Sequence, residues 1–98
     1  MTTFARMVTA QLKPAKIDEG VRVLNEQIAP NLKKQPGFQN WELMVNRSTG
    51  KMASVSHFAT EADAQAGGPS GLTEREAMVK PYLDGPSHLE IYEVSTHS

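Results

Sequence analysis

The chain has 98 residues, 39% of them hydrophobic, and its formal net charge is −1 with no cysteine at all. One domain spanning 1–98 with a single modest core is the expectation from that length, and the missing cysteines exclude disulfides and thiolate chemistry and make the cytosol the default compartment. The near-neutral balance supplies no basic excess for nucleic acid or an anionic membrane; no apolar run approaches the roughly 20 residues of a membrane helix, and MTTFARMV is not built like a signal peptide.

Phe4 to Leu12 (FARMVTAQL) reads as a first strand that closes before Lys13-Pro14. Alternation puts Phe4, Arg6, Val8, Ala10 and Leu12 on one face and Ala5, Met7, Thr9 and Gln11 on the other. From Ile17 the period changes: Ile17, Val21, Leu24, Ile28 and Leu32 form one stripe of an amphipathic helix. Asp18 and Glu19 in its first turn and Lys33-Lys34 in its last suit the helix dipole, and Pro36-Gly37 ends it. Pro30 lies inside the stripe and predicts a kink or a loosened last turn.

Phe38 to Asn46 alternates again, with Trp41, Leu43 and Val45 opposite Asn40, Glu42, Met44 and Asn46. Arg47-Ser48-Thr49-Gly50 is a turn with glycine where a positive φ is needed. Lys51 to Ala59 returns antiparallel, with Met52, Ser54, Ser56 and Phe58 on one face and Ala53, Val55 and His57 on the other. Thr60-Glu61-Ala62-Asp63 has the form of a capping box, so a helix follows the strand at once. Gly67 to Gly71 interrupts it, Thr73 with Glu76 restarts it, and Val79, Tyr82 and Leu83 make its apolar side. His88 to Val94 is the last strand.

The order βαββαβ predicts an α+β, ferredoxin-like fold: an antiparallel sheet with two helices on one face. Those helices leave Met7, Thr9, Met44, Ala53 and Val55 on the other face, too apolar a patch for water. A second copy closing its sheet against the first is the simplest cover, so a homodimer is expected.

The segments PAKIDEGVRVLNEQIAPNLKKQPGF, VSHFATEADAQA and HLEIYEV resemble the antibiotic-biosynthesis-monooxygenase-like group of dimeric α/β barrels over nearly the whole chain. The resemblance implies two sheets facing across a dimer and a small-molecule ligand held between helices and sheet within one subunit. Haem-degrading members share an asparagine on strand one, a tryptophan ending strand three and a histidine on helix two. This chain has Val8 or Thr9, Phe58, and no histidine from Glu61 to Leu83, which argues against that activity. Other members oxidise phenolic polyketide intermediates to quinones with oxygen and no cofactor, so a cofactor-independent monooxygenase acting on a small aromatic or polyketide-like substrate is what the resemblance implies here. The alternative is a non-catalytic barrel that binds a small apolar ligand or serves as a stress-associated module, favoured by the lack of any base–nucleophile or metal set.

Four residues are candidates for ligand binding, each with a plainer alternative. Arg6 stabilises a phenolate, or reaches the rim and snorkels, the rim being favoured. Trp41 stacks on a ligand, or fills core with its N–H bonded to backbone. Phe58 lines the pocket or is plain core, the two in balance. Tyr82, on the inner face of helix two, donates a proton to a bound oxygen, or packs half-buried with a wet hydroxyl. His57 points to the partner face and lacks a second ligand at metal spacing, so an interface role is expected and no metal. Gly67 to Gly71 is either a lid or an ordinary surface loop. The βαββαβ order also belongs to RNA-recognition domains, but their stacking positions fall on Ala53 and Val55, so no RNA is expected.

Overall fold

A computed structural model of the chain describes residues 3–66 and 77–95. Four antiparallel strands form one sheet: β1 (Thr3–Gln11), β2 (Phe38–Val45), β3 (Lys51–Phe58) and β4 (His88–Val94), in the order β2-β3-β1-β4. Helix α1 (Ile17–Val23) follows a short 3-10 turn, Pro14–Lys16, and continues through a π turn, Leu24–Ile28, into α2 (Ala29–Lys33). Helix α3 (Glu61–Ala66) follows β3, and a 3-10 turn, Lys80–Tyr82, precedes β4. The predicted ferredoxin-like order therefore holds. The restart at Thr73 and the Gly67–Gly71 break lie outside the described residues. Among the described residues no helix is long and apolar enough to cross a membrane.

The amphipathic stripe does what its spacing predicts. Ile17, Leu24, Ile28 and Leu32 are buried against Ala10, Leu12, Met52, Val79 and Leu83, with Val21 half-buried beside them. Burying an aliphatic side chain of this size contributes about 2 kcal/mol, so this stripe outweighs the weak propensity of three short helical pieces. The expected break at Pro30 appears one turn upstream, as the Leu24–Ile28 π turn. Proline has no N–H to donate and its ring clashes with the carbonyl four residues back; widening the preceding turn accommodates both.

Register decides what faces the helices. Arg6 pairs with Ser56, Val8 with Ser54 and Ala10 with Met52, so these residues share the covered face as alternation predicts. On the far side of β3, Trp41 pairs with Ser56 and Leu43 with Ser54. A register shift between Phe38 and Asn40 matters, because strict alternation would aim Phe38 at the open face. It packs instead on the core, edge-on to Phe58 at 6.0 Å between ring centroids. The hairpin turn behaves as its residues require: the Asn46 side chain accepts from the backbone of Ser48 and Thr49, and Gly50 takes a φ of 81°. At the cap of α3, the Asp63 N–H donates to Thr60 Oγ1 at 3.0 Å.

The second helical region departs from expectation at its end. Residues 77–79 are helical and run into a 3-10 turn, Lys80–Tyr82, where Pro81 has no N–H to donate. Leu83 then bridges Leu12, and the Asp84 N–H donates to the Gln11 carbonyl at 2.7 Å. This return along β1 closes one end of the space between helix and sheet.

Candidate functional site

Between the first helix and the covered face of the sheet lies a cavity. Its aliphatic walls include Leu24, Ile28, Leu32, Val79 and Leu83, and its floor is Val8, Ala10, Met52, Ser54 and Ser56. Arg6 and Ser87 complete the lining. The water-accessible volume is about 50 Å³, or about 540 Å³ when its open mouth is counted. The smaller value measures the room already vacant inside. Cavities that take a benzene-sized guest are about 150 Å³, so the enclosed room is smaller than such a guest occupies.

Arg6 dominates the polar chemistry. The expected rim position is wrong: Arg6 is 2% exposed, among the most buried side chains present. Its Nη1 donates to the Ala64 carbonyl at 3.2 Å and its Nη2 to Gln35 Oε1 at 2.9 Å. The guanidinium carbon stands 4.7 Å from the centroid of the Phe58 ring. A buried cation left without such contacts costs many kcal/mol, and these three contribute to the compensation. Sequence alternation gives the face but not the depth, because Gln35 comes from the exit of α2 and Ala64 from α3. Neither partner was legible as a site residue. The only sequence signal was an arginine at an inward strand position.

The other candidates divide. Phe58 is fully buried and forms the platform beneath Arg6 instead of lining the cavity. Trp41 is half-buried, and its Nε1–H donates to Ser54 Oγ at 2.7 Å, not to backbone as expected. It therefore reaches the cavity through a serine. Tyr82 does not line the cavity. Half-buried against the core, as its packing alternative expects, it sits on Gly20 of α1 with Lys16 Nζ 5.9 Å from its ring centroid, while Val79 and Leu83 line the cavity. His57 lies half-buried on the open face, where Nδ1 meets Asn40 Oδ1.

Comparison with known proteins fits this geometry. No family model matches the sequence, and no curated protein matches it significantly. Solved structures do match. The ActVA-Orf6 monooxygenase of Streptomyces coelicolor, in complex with nanaomycin D, is 18% identical with a TM-score of 0.78 over 99% of this chain and 91% of that one. A Caulobacter crescentus structure assigned as an antibiotic biosynthesis monooxygenase is 19% identical, with a TM-score of 0.76 over 96% and 91%. The chain has the antibiotic-biosynthesis-monooxygenase-like fold. A Nitrosomonas europaea protein of unknown function shares the same fold at 22% identity and a TM-score of 0.76, covering 100% of this chain and 94% of that one. At these identities the match speaks for the fold alone.

Proposed function

We propose that this protein is a cofactor-independent monooxygenase that oxidises a small hydroxylated aromatic or polyketide-like molecule. The observation that carries the reading is the Arg6 guanidinium, buried yet lining a cavity whose other lining residues are aliphatic apart from Ser54, Ser56 and Ser87. A phenol bound against it ionises more readily, since a cation in a low-dielectric site favours the anion, and the proton leaves to solvent through the mouth. Charge delocalised onto the ring carbon opposite the oxygen then makes that carbon reactive toward dioxygen. A carbon–oxygen bond forms there, the ring C–H proton is lost and the O–O bond breaks. One oxygen atom stays as the new carbonyl and the other departs as water. The chain binds the anion, orients it and keeps bulk water away. The fold it shares with a monooxygenase solved with nanaomycin D supports the same assignment.

Pairing of two copies through their open sheet faces belongs to this reading. That face carries Ala5, Met7, Ala53 and Val55 on its central strands and Met44, 43% exposed, and Tyr92, 45% exposed, toward its edges. The Tyr92 hydroxyl is held above its ordinary pKa chiefly by its hydrogen bond with Glu90, then by burial and by the charge of that carboxylate. It is therefore neutral over the physiological range and compatible with an apolar contact.

A binding protein without catalysis is the second reading. It is favoured by the absence of any carboxylate or imidazole among the described residues lining the cavity, so none of those residues can serve as a general base. Turnover separates the two. The oxygenase reading predicts oxygen uptake together with quinone absorbance for at least some phenols and hydroxynaphthalenes in an aerated panel. Tight binding of the same compounds without uptake would establish the second reading.

A further inference from the structure

Two serines stand side by side on the cavity floor, and their protons have different fates. Ser56 donates to the Arg6 carbonyl at 3.4 Å and is 2% exposed. Its hydroxyl is spent on the sheet. Ser54 is half-buried, lines the same cavity, and receives the Trp41 indole N–H at 2.7 Å. An indole nitrogen only donates, so Ser54 Oγ is the acceptor in that bond and its polarity is fixed. Among the described residues Ser54 makes no other hydrogen bond. One of its lone pairs is taken by the indole, and its own proton remains for the cavity.

We infer that Ser54 is a specificity-determining donor for a second ligand oxygen, held ready by Trp41, and that the site selects aromatic ligands carrying two oxygens over those carrying one. The inference rests on the oxygenase-pocket reading above and names its substrate class. Ser54 sits diagonally across from Arg6, whose direct partner on β3 is Ser56. Diagonal neighbours in an antiparallel pair are roughly 7–8 Å apart. With Arg6 reaching toward Phe58 and Ser54 standing farther along the floor, the two donors are spaced to hold oxygens on separate positions of one fused ring system. Arg6 takes the ionised oxygen. Ser54 takes a neutral carbonyl or hydroxyl oxygen, which needs a donor and not a charge. Trp41 does not touch the ligand; it is a positioning residue, keeping the serine rotamer from turning its proton away.

The pair of probes is lawsone, a hydroxyquinone with an acidic hydroxyl and two carbonyl oxygens, and naphthol, which has one hydroxyl. Affinities are measured by calorimetry on the intact protein. Ser54→Ala is expected to weaken lawsone by about threefold to tenfold, the worth of one hydrogen bond, and to leave naphthol unchanged. Trp41→Phe keeps the ring but removes the N–H, and is expected to weaken lawsone in the same selective way. The double variant should lose no more than Ser54→Ala alone, because one proton cannot be lost twice. Equal weakening of both probes by Trp41→Phe would mark a packing effect and overturn the positioning role. Unchanged lawsone affinity in Ser54→Ala, with Arg6→Lys still weakening it, would overturn the inference and leave the pocket reading standing. Failure of the wild-type protein to bind either probe would overturn both.

Discussion

Arg6 is a single residue that contributes to stability and on which the proposed chemistry rests. Replacing it with methionine keeps most of the volume but strands the Ala64 carbonyl and the Gln35 side chain that it now satisfies. A loss of about 1–3 kcal/mol in unfolding free energy is expected, read as a lower denaturant midpoint at unchanged slope. Affinity for an ionised phenol should fall about tenfold or more, since hydrogen bonds to a charged group are worth about 1.5–3 kcal/mol. Arg6→Lys retains the charge but not the planar fork that meets two acceptors at once, so it should recover only part of both losses. Unchanged ligand affinity in Arg6→Met would remove Arg6 from the site. From the sequence, alternation along FARMVTAQL identified the side of the sheet this arginine faces. Its depth was not legible, because the groups that make burial tolerable come from positions 29 and 58 residues away.

The elements show where local patterns suffice and where packing overrides them. The stripe from Ile17 to Leu32, the Thr60 side-chain cap of α3 and the turn ending at Gly50 each follow from local chemistry, and each is present. Tyr82 packs on the core but stays out of the cavity, because at Pro81 the helix tightens into a 3-10 turn and helical periodicity no longer holds. Trp41 was placed on the correct face, yet its partner depends on hairpin register, which brings Ser54 diagonally beneath it. Gly20 tests the packing of helix on turn. Alanine is favoured over glycine by about 1 kcal/mol inside a helix. Its Cβ would stand 2.8 Å from Leu12 Cδ2 and 3.3 Å from Tyr82 Cβ, and Leu12 is fully buried, so its side chain must shift within the core. Overpacking of this kind costs about 1–3 kcal/mol, so crowding wins. Thermal unfolding of Gly20→Ala should show a net destabilisation; a higher Tm would mean that the Tyr82 turn is free to shift.

At the scale of the whole molecule, one sheet face is covered by helices and the other is open. Val55 lies on a central strand of the open face, paired with Met7 on one side and Glu42 on the other. In an isolated subunit Val55→Asp meets solvent and leaves the fold intact. Between two apposed sheets it buries a charge without a partner, which costs several kcal/mol. Sedimentation should therefore find the wild type as a dimer at micromolar concentration and Val55→Asp as a folded monomer. A monomeric wild type at that concentration would contradict sheet-to-sheet pairing without touching the cavity.

The cavity's chemistry is tested most directly by following the oxygen atoms. The protein is incubated with a hydroxynaphthalene substrate under isotopically labelled dioxygen, and product and water are analysed by mass spectrometry. Monooxygenation predicts one labelled atom in the new carbonyl, the other in water, and loss of the signal in Arg6→Met. Labelled hydrogen peroxide with an unlabelled quinone, or no consumption of dioxygen by any compound that binds, would contradict it.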